Sequence, residues 1–264
     1  MRRVLLLLLV MLLPLAALGE EVPEADLALP LPQVTSAEAV EEYLLMPSKY
    51  NLSGIQRGYI RYIGQNEDRD DMFRTGYWLG GEKGSILDLT LTERYGVQFP
   101  FHAMNMCSRA AYSMALSYLG IDITPGGMSE MMGTRNLNEP YDDISALVGV
   151  ERVQVKKSAF NTMVSNYLTD DSYSPVYLYF RRPNGACHTV LVVATIPEKS
   201  RYLVLDSNPP KSGGKLHRIY FISLNPARTE IVNSTFRDEL RGSKVLQIHQ
   251  WRLIDETAPA AEQP

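Results

Sequence analysis

The sequence predicts an α+β protein in which helices come first and an antiparallel sheet follows. Three observations carry this. Over residues 107–119 the apolar positions Ala111, Met114, Ala115, Tyr118 and Leu119 recur every three or four residues, the spacing of one helix face, and Gly120 stands where a C-terminal cap belongs. From residue 175 that period gives way to runs rich in Val, Leu, Ile and Tyr at 175–180, 188–196 and 201–206. Between the last two runs, Pro197-Glu198-Lys199-Ser200 is a turn that joins them as a hairpin.

The remaining elements follow in order. Thr35 with Glu38 fits a capping box opening a helix whose Val40, Tyr43 and Leu44 share a face, and Pro47 ends it. Residues 59–63 and 86–90 read as short strands in a region of mixed pattern. Further helices are expected at 128–132, 144–150 and 160–168, and further strands at 219–222 and 245–253. The domain reading is a leader over 1–19, a linker and N-terminal extension over 20–94, one domain over 95–253 and a tail over 254–264.

Composition narrows the class. With 45% apolar and 21% charged residues in 264, the chain is not of the disordered type. Two cysteines are too few for a disulfide scaffold or a four-cysteine zinc site. No His-Glu-x-x-His or Cys-x-x-Cys spacing occurs, so no metal or other cofactor is expected. The net charge is −4 and the basic clusters are only two residues long, which argues against nucleic-acid binding.

Arg2-Arg3, an apolar run over 4–13 and Ala17-Leu18-Gly19 describe a secretory signal cut after Gly19. The run is short of the roughly 20 apolar residues needed to span a bilayer. A secreted or periplasmic protein without a membrane span after cleavage is expected. Removal of 1–19 takes away Arg2 and Arg3 and no acid, leaving 24 basic against 30 acidic residues, a net −6. In such a compartment a Cys107–Cys187 disulfide is a serious alternative to a reactive thiol.

The chemistry centres on Cys107. At the first turn of a helix a thiolate meets unpaired N–H groups and the positive end of the dipole, which lower its pKa. The same N–H groups suit an oxyanion. His188 opens a strong strand and can act as its base. Asp206 lies 18 residues later on the next strand of the hairpin, placed to orient the imidazole, with Asn208 as the alternative orienting residue. Strand alternation puts Cys187 and His188 on opposite faces, so if His188 faces Cys107 then Cys187 faces away.

Residues Asn105-Met106-Cys107-Ser108-Arg109-Ala110-Ala111-Tyr112, running on to Tyr118-Leu119-Gly120, together with His188-Thr189-Val190-Leu191-Val192-Val193 and Tyr202-Leu203-Val204-Leu205-Asp206-Ser207, resemble papain-fold cysteine peptidases. The nearest likeness is to the bacteriocin-processing (double-glycine leader) peptidases, over roughly 95–253. The resemblance implies a papain-like fold with N-terminal helices packed on the C-terminal sheet. It implies a Cys107–His188–Asp206 triad and a peptide or protein substrate. The chain departs from that family at Ser108, where it has glycine, and at Phe101, near its oxyanion glutamine. Asn105 and His102 are the candidates for the missing oxyanion donor. Cell-wall peptide hydrolases and transglutaminase-like enzymes use a similar constellation, and a catalytically silent binding module on the same fold is the reading from another class.

Overall fold

A computed structural model describes residues 34–46, 55–63, 107–123, 142–153, 157–196 and 200–254. The leader at 1–19, the strand at 86–90, the helix at 128–132, the turn at 197–199, and His102 and Asn105 lie outside the described residues. The elements are α1 (Ala37–Tyr43), α2 (Cys107–Tyr118), α3 (Asp142–Leu147), β1 (Val150–Val153), α4 (Phe160–Thr169), β2 (Val176–Arg181), β3 (Cys187–Ile196), β4 (Arg201–Leu205), β5 (Lys211–Ser212), β6 (Lys215–Leu216), β7 (Ile219–Leu224), β8 (Glu230–Ser234) and β9 (Ser243–Leu253). Helices with a large antiparallel sheet make an α+β protein.

The sheet closes on itself. Its order is β1-β9-β2-β3-β4-β7-β8, and β8 also pairs β9, so β2, β3, β4, β7, β8 and β9 form a ring. The first half of β9 belongs to the ring, and its second half pairs β1 from Gln250 to Leu253. Alternation along the strands then separates two cores. Val176, Leu178, Phe180, Val190, Val192, Tyr202, Val204, Tyr220, Ile222 and Val245 gather on the inner face with Phe160, Met163 and Val164 of α4. Tyr177, Leu191, Val193, Leu203, Leu205 and Trp251 join an outer cluster with Val40, Leu44 and the α2 residues Ala111, Met114, Ala115 and Leu119. Each Val, Leu, Ile, Phe or Met side chain among them that is fully removed from water contributes about 1.5–3 kcal/mol.

α2 ends as its sequence dictates. Gly120 takes φ +81°, its N–H bonds Ser117 O at 3.0 Å, and the Ile121 N–H bonds Leu116 O at 3.1 Å. These two bonds satisfy carbonyls that a helix end otherwise leaves open. The register of β3 on β4 shifts between Val192 and Ala194, a bulge at Val193. The Tyr167 hydroxyl of α4 donates to the Val193 carbonyl, while Tyr118 of α2 donates to Tyr167 O at 2.8 Å. The bulge thus ties both helices to β3.

Several expectations are corrected. Ser36, not Thr35, caps α1, accepting from the Ala39 N–H at 3.2 Å, and Tyr43 turns outward while Val40 and Leu44 are buried. The helix expected at 144–150 ends at Leu147, because Gly149 adopts φ +76° and turns the chain into β1. Residues 59–63 contribute only an isolated bridge, Leu45 to Ile60, because the Arg61 N–H bonds the Ser117 hydroxyl at 2.9 Å instead of a strand. Val34, Val40, Leu44, Ile60 and Ile63 share the outer core with α2 and the sheet, so the described parts of 20–94 are built into the same core as the residues after 107. Among the described residues no helix is long and apolar enough to cross a membrane.

Candidate active site

Cys107 opens α2, buried, with its sulfur at the positive end of the helix. Beyond the Leu191–Leu205 pair, β4 no longer flanks β3. At this unpaired but buried margin of the ladder the Thr189 backbone and the His188 ring act on the Cys107 sulfur. Ser108 bonds the Tyr177 hydroxyl of β2 and lies 3.4 Å from the Thr189 hydroxyl. That contact pins the start of α2 to the two strands that carry the site.

His188 is 2% exposed and Asp206 is not exposed at all. His188 Nε2 stands 2.8 Å from Asp206 Oδ1, which places the proton of that nitrogen on the Asp206 side and leaves the Nδ1 edge for the thiol. The pairing follows from the hairpin: His188 pairs Phe180 on one side, and Asp206 extends β4 just past its last pair with β3. The Phe180 ring stands edge-on to the imidazole at 5.7 Å and limits its tilt.

Asp206 is held at every oxygen. Oδ1 also accepts the Asn208 N–H at 2.8 Å, Oδ2 accepts from Tyr220 at 2.6 Å and from Arg237 at 2.7 Å, and its carbonyl accepts from the Tyr62 hydroxyl at 3.0 Å. Arg237 is buried, and it further bonds Asn208 O at 3.0 Å and Glu239 at 2.8 Å. Its Nη1 lies 3.3 Å from His188 Nε2, so two donors converge on one carboxylate.

These contacts set the charges. Burial alone pushes the Cys107 thiol up, but the hydrogen bond and charge of His188 outweigh it and hold the thiol below its ordinary range. Burial disfavours the imidazolium, yet Asp206 and Cys107 raise His188 to about 9. Burial also penalises the Asp206 carboxylate, and His188, Arg237 and Tyr220 together bring it below the usual range. The shifts act together: His188 is favoured as the imidazolium, Asp206 as the carboxylate, and Cys107 is moved toward the thiolate.

The residues proposed from sequence are therefore brought together at Cys107, His188 and Asp206. Asn208, the other candidate for orienting the histidine, meets Asp206 through its main chain. Both cysteines are free thiols, so the 107–187 disulfide is not formed. Cys187 does lie on the face opposite His188, but it is not remote: it bonds Tyr179, whose hydroxyl is influenced by both sulfurs. The Cys107 sulfur sits at the edge of β3 rather than over one face, which the parity argument did not foresee. Tyr220 and Arg237 were missed. Alternation in Ile219–Leu224 marks Tyr220 as inward-facing, but nothing around Arg237 marks it. Among the described residues no three His, Cys, Asp or Glu side chains cluster as a metal site. Compared with protein-family models and with curated proteins, the chain matches none.

Proposed function

We propose that the protein is an exported thiol hydrolase of papain-like fold that cleaves an amide, in first place a peptide bond. The observation that carries this reading is the buried placement of Cys107 and Asp206 about His188, whose Nε2 stands 2.8 Å from Asp206 Oδ1 and whose ring lowers the Cys107 thiol. The thiolate attacks the carbonyl carbon and forms a C–S bond. His188 then delivers its proton to the leaving nitrogen as the C–N bond breaks. Water enters, His188 takes its proton, and the resulting hydroxide displaces the thiolate. Asp206 keeps the imidazole in one tautomer and supports its charged form.

The test is selective alkylation. In the native protein iodoacetamide is expected to modify buried Cys107 at least tenfold faster than exposed Cys187 at pH 6.5, because His188 holds the Cys107 thiol below its ordinary range. Peptide mapping reads both rates, and equal slow rates would refute an activated thiol. Turnover assays with a protein, with peptidoglycan and with an amine acceptor then separate peptidase, cell-wall hydrolase and transfer activity.

The pH profile carries a second expectation. Activity requires the protonated imidazole for the leaving group, so kcat/KM should fall as pH rises through about 9. The acid limb lies below the ordinary thiol range, where Cys107 loses its ion-pair form. In Asp206→Asn the carboxylate support is gone while burial remains, so the alkaline limb should move to lower pH. An unmoved limb would show that Asp206 does not govern the imidazole.

A further inference from the structure

Arg182 continues β2 into the hairpin: its N–H bonds Ala186 O at 2.7 Å, in the same register that pairs Phe180 with His188. It is therefore the diagonal neighbour of His188, and such neighbours sit about 7–8 Å apart on one face. The Arg182 side chain is half-buried, and its Nε is buried with no hydrogen-bond partner. No carboxylate among the described residues is ion-paired with it. The two acids whose charge reaches it, Asp206 and Glu239, are both bonded by Arg237. Burial and the charge of Arg237 hold its pKa below the usual guanidinium range in spite of them. A guanidinium in this state lacks the anion that its planar fork of donors is shaped to take.

We propose that Arg182 is a specificity residue that binds a carboxylate on the leaving half of the substrate, either an acidic side chain or a free C-terminal group within the first two residues after the scissile amide. The proposal rests on the thiol-hydrolase reading. His188 protonates the leaving nitrogen, so the leaving half must pass over the imidazole. Arg182 stands one step along the same face. An extended chain advances about 3.3 Å per residue, so one or two residues reach the guanidinium.

The test uses the full chain and an activated acyl donor, the p-nitrophenyl ester of a short acylated peptide. Cys107 attacks the ester carbonyl, the C–O bond breaks and nitrophenolate leaves. An added dipeptide amine then attacks the thioester, a C–N bond forms, the C–S bond breaks, and His188 takes the amine proton. By microscopic reversibility the acceptor occupies the site of the leaving half. Three acceptors are compared: Gly-Glu amide, Gly-Gln with a free C-terminus, and Gly-Gln amide. At least one of the two carboxylate acceptors should be captured tenfold or more in preference to Gly-Gln amide, and which one it is identifies the carboxylate recognised. Arg182→Gln should bring that ratio to near one, and Arg182→Lys should keep part of it. Because the readout is a ratio between acceptors, a change in overall rate does not affect it. No preference in the native protein, or a preference unchanged in Arg182→Gln, overturns the subsite. Nitrophenolate release no faster than with Cys107→Ala overturns the hydrolase reading, and the subsite with it.

Discussion

Exchanging Cys107 for alanine is expected to lower kcat/KM for amide hydrolysis by on the order of 10⁶-fold, and His188→Ala by a similar factor. The reason is that the two side chains form one device. Without the imidazolium the sulfur is a buried thiol whose pKa burial drives upward, and the leaving nitrogen has no proton donor. Without the sulfur the imidazolium has nothing to activate. The losses are therefore not additive, and the double variant should be no slower than either single one. Steady-state kinetics reads this directly. A double variant whose loss equals the product of the single losses would mean that the residues act independently. Circular dichroism melts of Cys107→Ala should stay near the native value, since the change removes one small buried atom and keeps the Cβ.

Replacing Arg237 with methionine is expected to cost about 3 kcal/mol of stability, the scale found when one partner of a buried ion pair is removed. For a chain of this size that lowers Tm by roughly 6–12 °C. Asp206 remains wholly buried in that variant and keeps His188, Tyr220 and the Asn208 N–H, but loses its closest full positive charge apart from the imidazolium. Methionine preserves the apolar stem, so the loss reports the charge. The decisive comparison is Arg237→Met with Asp206→Asn. Once no carboxylate is stranded, part of the stability should return. A double variant as unstable as the sum of the singles would place the cost in packing instead.

What could be read from the chain and what could not divide along physical lines. α2 and the strands at 176–181, 187–196 and 201–205 were legible because apolar spacing and a short hairpin turn are local signals. His188 and Asp206 came with them, since a hairpin fixes which residues can meet. The ring closure was not legible. It depends on β8 meeting β9, and β8 offers only Ile231 and Ser234 as buried positions, too few to show alternation. Arg237 was silent for a related reason. A lone arginine between Phe236 and Asp238 looks like surface, and only the fold brings it to Asp206. Ser108 stood out in the sequence as a departure, but its purpose is visible only once Tyr177 is placed opposite it.

The closed ring has a meaning beyond stability. Proteolytic enzymes grip their targets in extended form, commonly by adding them to a bare border strand. Each of the six ring strands is flanked on both sides by another over part of its length, and β3 is left without β4 beyond the Leu191–Leu205 pair. Under the proposed function, the ring leaves a second copy of the protein little bare strand to be gripped by.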